Sequence, residues 1–228
     1  MMSSRRDMLS ENIKIFYEDK DVCIVEKPVG IPCEGDGETL PQILKGQLKS
    51  DIYLVHRLDR NVGGVMIFAK NKSSAAFLSK EMQKENGVFE KEYVLVTDGV
   101  PKEREGVYKD FLFKDSKKGR SFVVKSQRKG VKEASLEYRV LKENENHALV
   151  SVKLHTGRTH QIRVQFSSRQ TPLCGDGKYG SRDNRAKSPA LRAVRLTVRL
   201  PGGDIKSVFS PPDFSQYPWS EFDSSAVL

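Results

Sequence analysis

The sequence predicts an α+β fold, in which a mixed, mostly antiparallel β-sheet is flanked by helices. Three observations support this prediction. Most apolar segments are short, as strands are, and turn residues separate them. Several segments alternate apolar with polar residues, which is typical of strands that bury one face. Few segments have the apolar spacing of a helix, so strands are expected to predominate.

The first strands follow from the segment "IKIFYEDKDVCIVEKPVGI". Two apolar runs flank an acidic turn, and Pro28 and Gly30 end the second run. Two further buried strands are expected at residues 52–55 and 65–69. The polar stretch "HRLDRNVGG", from His56 to Gly64, connects them.

A helix is predicted over residues 74–86. Ser73 is a candidate cap at its start, and Gly87 is a plausible stop. Between these ends, apolar residues recur with helical spacing on one face.

The second half of the chain reads mainly as strands. "KEYVLVTDG", "ALVSVKL" and "AVRLTVRL" are predicted strands, and the last ends at Pro201-Gly202. Phe122–Val124 lies between two basic ends that contain glycine, which indicates a strand pair. In "HTGRTHQIRVQF", Thr159 is predicted to cap a short helix with Ile162 and Phe166 one turn apart.

Length and composition indicate one globular domain. The 228 residues are 37% hydrophobic and 30% charged, and no linker divides them, so we expect a flexible tail over residues 1–11 and a single domain over 12–228. No apolar run approaches the roughly 18 residues of a membrane span, and the first residues lack an apolar signal core. A cytoplasmic protein without a membrane partner is therefore expected.

The cysteines and histidines give no sign of a disulfide or a metal site. Cys23, Cys33 and Cys174 are scattered and form no CxxC pair. His155 and His160 lie five positions apart, without the spacing of four that zinc-binding helical pairs show. No metal ligands are therefore predicted.

The charge favours a polyanionic partner. The net charge is +9 and the pI is about 9.4. RNA, DNA or an anionic membrane would each suit this charge. Eight basic residues and one acidic residue lie between Lys114 and Lys132, and a second basic segment runs from Ser181 to Arg195. Two basic segments in one domain favour a nucleic acid.

Asp59, within "HRLDRNVGG", is the candidate carboxylate. Arg57 and Arg60 flank it, and cationic neighbours favour the ionised form of a carboxylate, which can act as a nucleophile or base. A structural ion pair is the alternative. The polar segments offer few further carboxylates, Asp98 and Glu92, which argues against the paired carboxylates of glycosidases.

Two other motifs allow a functional and a structural interpretation. In "HTGRTHQIR", a capped helix would direct backbone N–H groups and Arg158 at an anion, with Arg163 free to reach a carboxylate. The alternative is an ordinary helix with surface arginines. "GDGKYG" matches G-x-G-x-x-G, but a basic loop follows it where a dinucleotide site needs a helix, so such a site is not expected.

Three segments together resemble the signature segments of the RluA family of pseudouridine synthases: "HRLDRNVGGVMIFAKN", "KEYVLVTDG" and "LHTGRTHQIRVQFSSRQTPLCGDGKYG". "YEDKDVCIVEKPVGI" is similar to the opening segment of that family, and "FSPPDFSQYPW" to its closing one. The resemblance extends over nearly the whole chain, in order. It implies the pseudouridine synthase fold, without the separate N-terminal RNA-binding domain that many members have.

The resemblance also implies roles for individual residues. Asp59 matches the catalytic aspartate, and Arg57 matches the arginine that fills the space left by a flipped base. Tyr93 matches the tyrosine that packs on the target uracil, and Arg163 matches the basic residue that pairs with the aspartate. Further substrate-binding residues are expected among the cations near these segments: Arg60, Arg158, Lys118 and Arg120.

The chain departs from the family pattern at three places. Asn61–Gly64 stands where the family usually has x-Thr-Ser-Gly, Gln165 where a histidine is usual, and Arg192 where Leu-His-Ala is expected. None of these positions is a matched catalytic group. The Thr and Ser hydroxyl groups of the family pattern are absent at Asn61–Gly64, so the loop that carries Asp59 is expected to be held in place differently.

The expected function is that of an RNA pseudouridine synthase, an isomerase, acting as a monomer on rRNA or tRNA. Isomerising uridine exchanges no group with solvent and oxidises nothing, so no cofactor is expected. The altered loop motivates an alternative, a catalytically impaired RNA-binding or RNA-folding protein on the same scaffold. An oxidoreductase built on "GDGKYG" would require dinucleotide binding, which is not expected.

Overall fold

The computed structural model describes residues 12–84 and 87–227. They divide into two compact units. Unit 1 holds the described residues up to Phe89 together with Leu196–Ser210, and unit 2 holds Glu90–Arg195 together with the described residues from Pro211 onward. The predicted flexible tail lies outside the described residues, and the single domain over 12–228 stays a prediction.

Unit 1 is a small sheet with two helices. Its elements are β1 (Ile15–Glu18), β2 (Val22–Lys27), α1 (Leu40–Leu48), β3 (Tyr53–Leu54), β4 (Gly63–Ala69), α2 (Lys72–Gln83) and β11 (Ile205–Phe209). β2 pairs with β1 and β4, and β3 also pairs with β4, all antiparallel. The second half of β10 (Leu191–Arg199) lies beside β4 and pairs with β11.

β4 is the central strand of unit 1, and every one of its residues is buried. The core that it shares with β2, α2 and β10 is made of aliphatic side chains: Val22, Ile24, Val65, Ile67, Ala69, Leu78, Leu196, Val198 and Leu200. The predicted strand at 65–69 is confirmed. The predicted strand at 52–55 is reduced to Tyr53–Leu54, whose residues are only partly buried.

Helix α2 begins earlier than the sequence predicted. Its cap is Asn71, whose side chain accepts a hydrogen bond from the Ser74 backbone N–H at 2.8 Å. Ser73, the predicted cap, instead donates its hydroxyl to the Asn71 side chain at 2.6 Å. The helix ends at Gln83 because Lys84 adopts an extended conformation. Residues 85 and 86 of the predicted helix lie outside the described residues.

Unit 2 contains the longer strands. Its elements are most of β5 (Phe89–Asp98), β6 (Glu105–Asp115), β7 (Arg120–Val124), β8 (Val131–Glu143), β9 (His147–Leu154), α3 (Gln161–Ser167) and the first half of β10. The strand order is β10-β5-β9-β8-β6-β7, and the pairs from β5 to β7 are antiparallel. The mixed, mostly antiparallel α+β prediction is confirmed.

Helix α3 is almost entirely buried, and its start differs from the prediction. The cap position is His160, in the left-handed conformation with a φ of 54°, and not Thr159. The His160 Nδ1 lies 2.8 Å from the Tyr179 hydroxyl, a tertiary contact that a local capping argument does not include. The Gln161 side chain accepts from the Thr156 hydroxyl and the Arg158 backbone N–H, so this side chain orders the turn before the helix.

The described helices include none with the length and apolar character needed to cross a membrane.

The "GDGKYG" stretch forms a tight turn and a short 3-10 helix over Gly177–Tyr179. Gly175 has a φ of +74°, and a Cβ placed on it would lie 2.4 Å from the Ser188 carbonyl oxygen. The motif therefore requires glycine at this position for backbone geometry, because a side chain would clash with the chain that passes above it.

Gly175→Ala is expected to destabilise the protein by about 3 kcal/mol or more, from the left-handed backbone and the overlap with Ser188. The matched control is Gly177→Ala, because a Cβ on Gly177 meets nothing within 4 Å. Denaturant unfolding of both variants measures the difference. Equal free energies of unfolding for the two variants would contradict the requirement for glycine at position 175.

Candidate active site

The loop between β3 and β4 carries Asp59. Its side chains alternate: His56 and Leu58 are buried, Arg57 and Arg60 are exposed, and Asp59 is half-buried. The Val62 backbone N–H donates to the Asp59 carbonyl oxygen at 3.0 Å, which closes a turn just after the carboxylate. The loop therefore holds Asp59 between anchored apolar residues and two solvent-facing cations.

A buried lysine fastens this loop to the end of β2. Lys27 is completely buried, and its Nζ donates to the carbonyl oxygens of Pro28, Arg60 and Val62 at 2.9, 3.1 and 2.8 Å. Burial lowers the pKa of Lys27 to about 8, and the nearby Asp59 charge opposes this shift. At neutral pH the ammonium form therefore predominates, and it joins the Pro28 carbonyl oxygen to two carbonyl oxygens that follow Asp59 in its loop.

Further bonds connect the loop to residues 30–33. The Gly30 backbone N–H donates to the Arg60 carbonyl oxygen at 2.8 Å, and the Arg60 Nε donates back to the Gly30 carbonyl oxygen at 2.9 Å. The Cys33 thiol lies 3.4 Å from the Leu58 carbonyl oxygen. Arg60 is thus exposed to solvent and also hydrogen-bonded to the Gly30 backbone.

Arg57 forms an exposed ion pair with Glu34. Its Nη1 lies 2.6 Å from the Glu34 Oε2, and about half of each side chain is accessible to solvent. Exposed pairs of this kind contribute about 0–1 kcal/mol. The pair can therefore open at little cost, which leaves Arg57 available to a ligand.

In unit 2, Tyr93 is buried on β5, opposite Val152 of β9. Burial lowers the pKa of its near neighbour Lys91. The remainder of β5, from Val94 to Thr97, is buried, so Tyr93 stands at the point where the strand enters the core.

Arg163 is buried on α3 and forms a two-pronged ion pair. Its Nε lies 2.6 Å from the Asp176 Oδ2, and its Nη2 lies 2.8 Å from the Asp176 Oδ1. Asp176 is 1% exposed. A bidentate carboxylate of this kind fixes the plane of a guanidinium. Arg163 thus pairs with Asp176, and its expected pairing with Asp59 stays a prediction.

Tyr179 lies between two arginines of the predicted set. The guanidinium carbons of Arg120 and Arg163 are 4.8 and 4.9 Å from its ring centroid. The Tyr179 hydroxyl accepts from the Ser121 backbone N–H at 2.8 Å. The 175–180 turn therefore positions both arginines, one through Asp176 and both through the Tyr179 ring, which explains its glycine-rich sequence without a dinucleotide.

The other two predicted cations of unit 2 are exposed. The Arg158 Nε donates to the Glu133 carbonyl oxygen at 2.8 Å, which fixes its side chain against β8. Lys118 lies in the β6–β7 turn, and its Nζ is 5.8 Å from the Phe122 ring centroid. Arg120, the first residue of β7, follows this turn directly, so two of the predicted substrate-binding cations lie two positions apart.

The residues that depart from the family pattern have main-chain or polar contacts of their own. Val62 is buried, and its carbonyl oxygen accepts from Lys27. The Gln165 side chain donates to the Tyr108 carbonyl oxygen at 3.2 Å and to Asp110 at 2.6 Å. At Val62, where the family pattern has a hydroxyl group, the Asp59 loop is therefore held through a backbone carbonyl oxygen.

Sequence reasoning missed Lys27 and Asp176 as supporting residues. Lys27 had a signal, since it is a lysine at the end of an apolar strand directly before a proline. Its three acceptors come from separate parts of the chain, which the sequence does not reveal. Asp176 lies in the "GDGKYG" stretch, for which sequence reasoning only excluded a dinucleotide site.

Comparison with known proteins identifies the class. The sequence profile of the RNA pseudouridylate synthases matches residues 21–168, so the chain belongs to the RNA pseudouridylate synthase family. This agrees with the resemblance stated from the signature segments.

Individual relatives agree with the assignment. An uncharacterised RNA pseudouridine synthase of Aquifex aeolicus is 38% identical over 81% of this chain and 62% of its own length. The ribosomal large subunit pseudouridine synthase D of Borreliella burgdorferi is 32% identical over 87% of this chain and 64% of its own. The chain thus spans less than two thirds of the length of these two relatives.

A solved structure has the same fold. Human RNA pseudouridylate synthase domain containing 1 superposes with a TM-score of 0.75 at 26% identity, over 90% of this chain and 85% of that one. The strand-rich architecture derived above is therefore that of a pseudouridylate synthase.

Proposed function

We propose that the protein is an RNA pseudouridine synthase that isomerises specific uridines, with Asp59 as the catalytic carboxylate. The observation that carries the proposal is the Asp59 loop: a half-buried carboxylate between two exposed arginines, with its backbone fastened by Lys27. Membership of the family supports it. The protein would act as a monomer in the cytoplasm.

The reaction sets what the residues must do. The bond between carbon 1′ of the ribose and N1 of the uracil breaks, the uracil turns, and carbon 1′ bonds to carbon 5. Carbon 5 gives up its proton and N1 gains one, so the atoms balance without a co-reactant. The target base must first leave its stack, which costs a few kcal/mol and favours loops or unpaired sites. The ionised carboxylate of Asp59 acts on the sugar or on the uracil ring. The rigid loop keeps this carboxylate at reacting distance.

The other predicted residues take binding roles. Arg57 leaves Glu34 and fills the space of the flipped base, since its exposed ion pair opens at little cost. Tyr93 packs on the uracil. Arg60, Arg158 and Arg163 are proposed to bind the substrate, and the assignment of Arg163 as the cation that pairs with Asp59 remains part of this proposal.

The β6–β7 turn supplies cations for the RNA backbone. Lys117 and Lys118 are exposed there, and the segment Lys114–Lys132 has seven more basic than acidic residues. Lys118 and Arg120 therefore belong to a surface suited to phosphates.

The double substitution Lys117→Gln and Lys118→Gln is expected to lower the slope of log affinity against log salt by about 1.4, because each phosphate contact contributes about 0.7 on single strands. Fluorescence anisotropy with a labelled RNA over a salt series measures it. Lys45→Gln is the control, since Lys45 pairs with Asp51 in unit 1 at 2.8 Å. An unchanged slope in the double variant would remove this surface from the RNA interface.

The substrate is proposed to be rRNA or tRNA. Large-subunit rRNA is the first to test, because the relative from Borreliella burgdorferi carries that substrate in its name.

The proposal is tested with dialysed protein and unmodified transcripts of large-subunit rRNA and of tRNAs, without added cofactor. Pseudouridine is mapped after incubation. We expect conversion of one or a few uridines in one class of RNA. No conversion in either class, by protein that binds these RNAs, would favour the alternative of a catalytically impaired RNA-binding protein.

A further inference from the structure

Unit 2 contains a second cluster of reactive side chains that the proposed reaction does not use. A cavity of about 620 Å³ is lined mostly by polar and charged residues: Asp98, Asn144, Glu145, Asn146, His147, Arg182, Asp183, Asn184, Arg185 and Glu221. None of the predicted site residues is among them. The cavity therefore requires a separate explanation.

Asp98 holds the loop after residue 180, and both line this cavity. The Asp98 Oδ2 accepts from the Ser181 hydroxyl at 2.8 Å and from the backbone N–H groups of Arg182 and Asp183 at 2.9 and 3.3 Å. These bonds place the Asp183 carboxylate close to His147, where its side chain is 6% exposed. The arrangement is thus built by specific contacts.

Three potential metal ligands lie close together beside the cavity, and two of them, His147 and Asp183, line it. The ligand atoms of His147, Cys174 and Asp183 all lie within 4.8 Å of one another. A point equidistant from three atoms at that spacing is at most about 2.8 Å from each, so shifts of about 0.5–0.8 Å would produce the bond lengths of zinc. His147 and Cys174 are buried.

The distance between His147 and Asp183 fits two ligands of one ion. The His147 Nε2 lies 3.4 Å from the Asp183 Oδ2. This is longer than the usual 2.7–3.2 Å of an N–H···O bond. It equals the separation of about 3.4 Å that tetrahedral geometry gives to nitrogen and oxygen ligands on zinc.

The surrounding residues orient the ligands as outer partners in metal sites do. The Glu221 Oε2 lies 2.6 Å from the His147 Nδ1, so a proton between them leaves the Nε2 lone pair directed at Asp183. Asp183 accepts from the Arg185 guanidinium at 3.1 and 2.9 Å and from the Tyr217 hydroxyl. His147 and Asp183 are therefore each held in place by neighbouring side chains, as the ligands are in carboxylate–histidine–zinc sites.

We propose that His147, Cys174 and Asp183 bind one divalent transition-metal ion, with zinc the best match. A thiolate, an imidazole and a carboxylate form a donor set that zinc favours over magnesium or calcium. The charges of Zn²⁺, one thiolate and one carboxylate cancel, and Glu221 and Arg185 balance each other. The ion would join the 181–185 loop, β9 and Cys174.

Without a metal, the cluster has one other explanation. His147 would carry protons on both nitrogens and bridge the carboxylates of Asp183 and Glu221. Cys174 has no part in that arrangement. A test of whether Cys174 binds metal therefore distinguishes the two explanations.

The test is a titration of the chelator-treated full chain with Co²⁺, followed by displacement with Zn²⁺. We expect one Co²⁺ per chain, visible bands of a tetrahedral ion, and a thiolate-to-cobalt charge-transfer band in the near ultraviolet. Cys174→Ser should abolish the charge-transfer band. The control Cys23→Ser, at a thiol that is equally buried in unit 1, should keep it.

Glu221→Gln provides a second variant that preserves the size of the side chain. It should weaken cobalt and zinc binding about 10- to 100-fold, as loss of an outer carboxylate does. Circular dichroism confirms that each variant is folded. Failure of the folded wild type to bind either ion, or a charge-transfer band unchanged in Cys174→Ser, would overturn the proposal. This outcome has no bearing on pseudouridine formation, which is measured separately.

Discussion

Asp59→Asn is expected to lower pseudouridine formation by about 10³-fold or more, with little change in the fold. An amide of the same shape cannot act as an anion, so neither nucleophilic nor base chemistry remains at this position. The loop itself is anchored through the carbonyl oxygens of Leu58, Arg60 and Val62, which the substitution leaves in place. Single-turnover rates on the modified RNA measure the effect.

The matched control is Asp51→Asn, an exposed aspartate of the same unit that pairs with Lys45. It should retain the wild-type rate, and RNA affinity should change little in either variant. A rate for Asp59→Asn within tenfold of the wild type would remove Asp59 from the chemistry and leave the structural ion pair as its role.

Lys27→Met is expected to have the second largest effect, lowering activity about 100-fold. The substitution removes the donor shared by the carbonyl oxygens of Pro28, Arg60 and Val62. A displacement of about 1 Å in a catalytic group commonly costs this much. Lys27 touches the loop and not the substrate, so it is a positioning residue.

The stability of Lys27→Met follows from two opposed contributions. Bonds from a charged donor contribute about 1.5–3 kcal/mol each, and three are lost. Burying the ammonium costs about 3 kcal/mol, since burial lowers the pKa of Lys27 from 10.5 to about 8. The three bonds stabilise the fold by more than the burial of the charge costs, and we expect a net loss of about 2–6 kcal/mol in the free energy of unfolding, measured with denaturant. Lys14→Met is the control, because Lys14 is exposed and lies 3.6 Å from Glu26.

The lowered pKa of Lys27 also gives the stability difference a pH dependence. Between about pH 8 and 10.5 the unfolded chain holds a proton on Lys27 that the folded protein has released. The unfolded state therefore binds more protons, and the wild type gains stability relative to Lys27→Met as the pH rises through this range. A difference that stays flat would show that the carbonyl oxygens and Asp59 keep the lysine charged.

The sequence was sufficient for the strands that bury apolar faces. β2, β4, β5, β9 and β10 were all predicted, because alternation or apolar runs mark them. Helix α1 was missed although Thr39 and Gln42 form a capping box at its start. β6 and β8 were missed because charged residues cover their exposed faces.

The candidate site was predictable as a set of residues and not as a geometry. Asp59, Arg57 and Arg60 follow from one motif. The fastening of their loop depends on Lys27, which lies 33 positions before one of its acceptors, Arg60. The predicted start of α3 failed for a similar reason, because contact of His160 with Tyr179 competes with the local preference for Thr159. Such long-range contacts leave no periodic signal in the sequence.

The most direct test of the account is a map of pseudouridine in rRNA and tRNA from a strain that lacks this gene. The RNA is compared after complementation with the wild type and with Asp59→Asn at equal protein levels. We predict that one or a few sites disappear in the deletion strain, return with the wild type, and stay absent with Asp59→Asn. Identical maps in all three strains, or sites restored equally by both proteins, would contradict the assignment of Asp59 as the catalytic residue of a pseudouridine synthase.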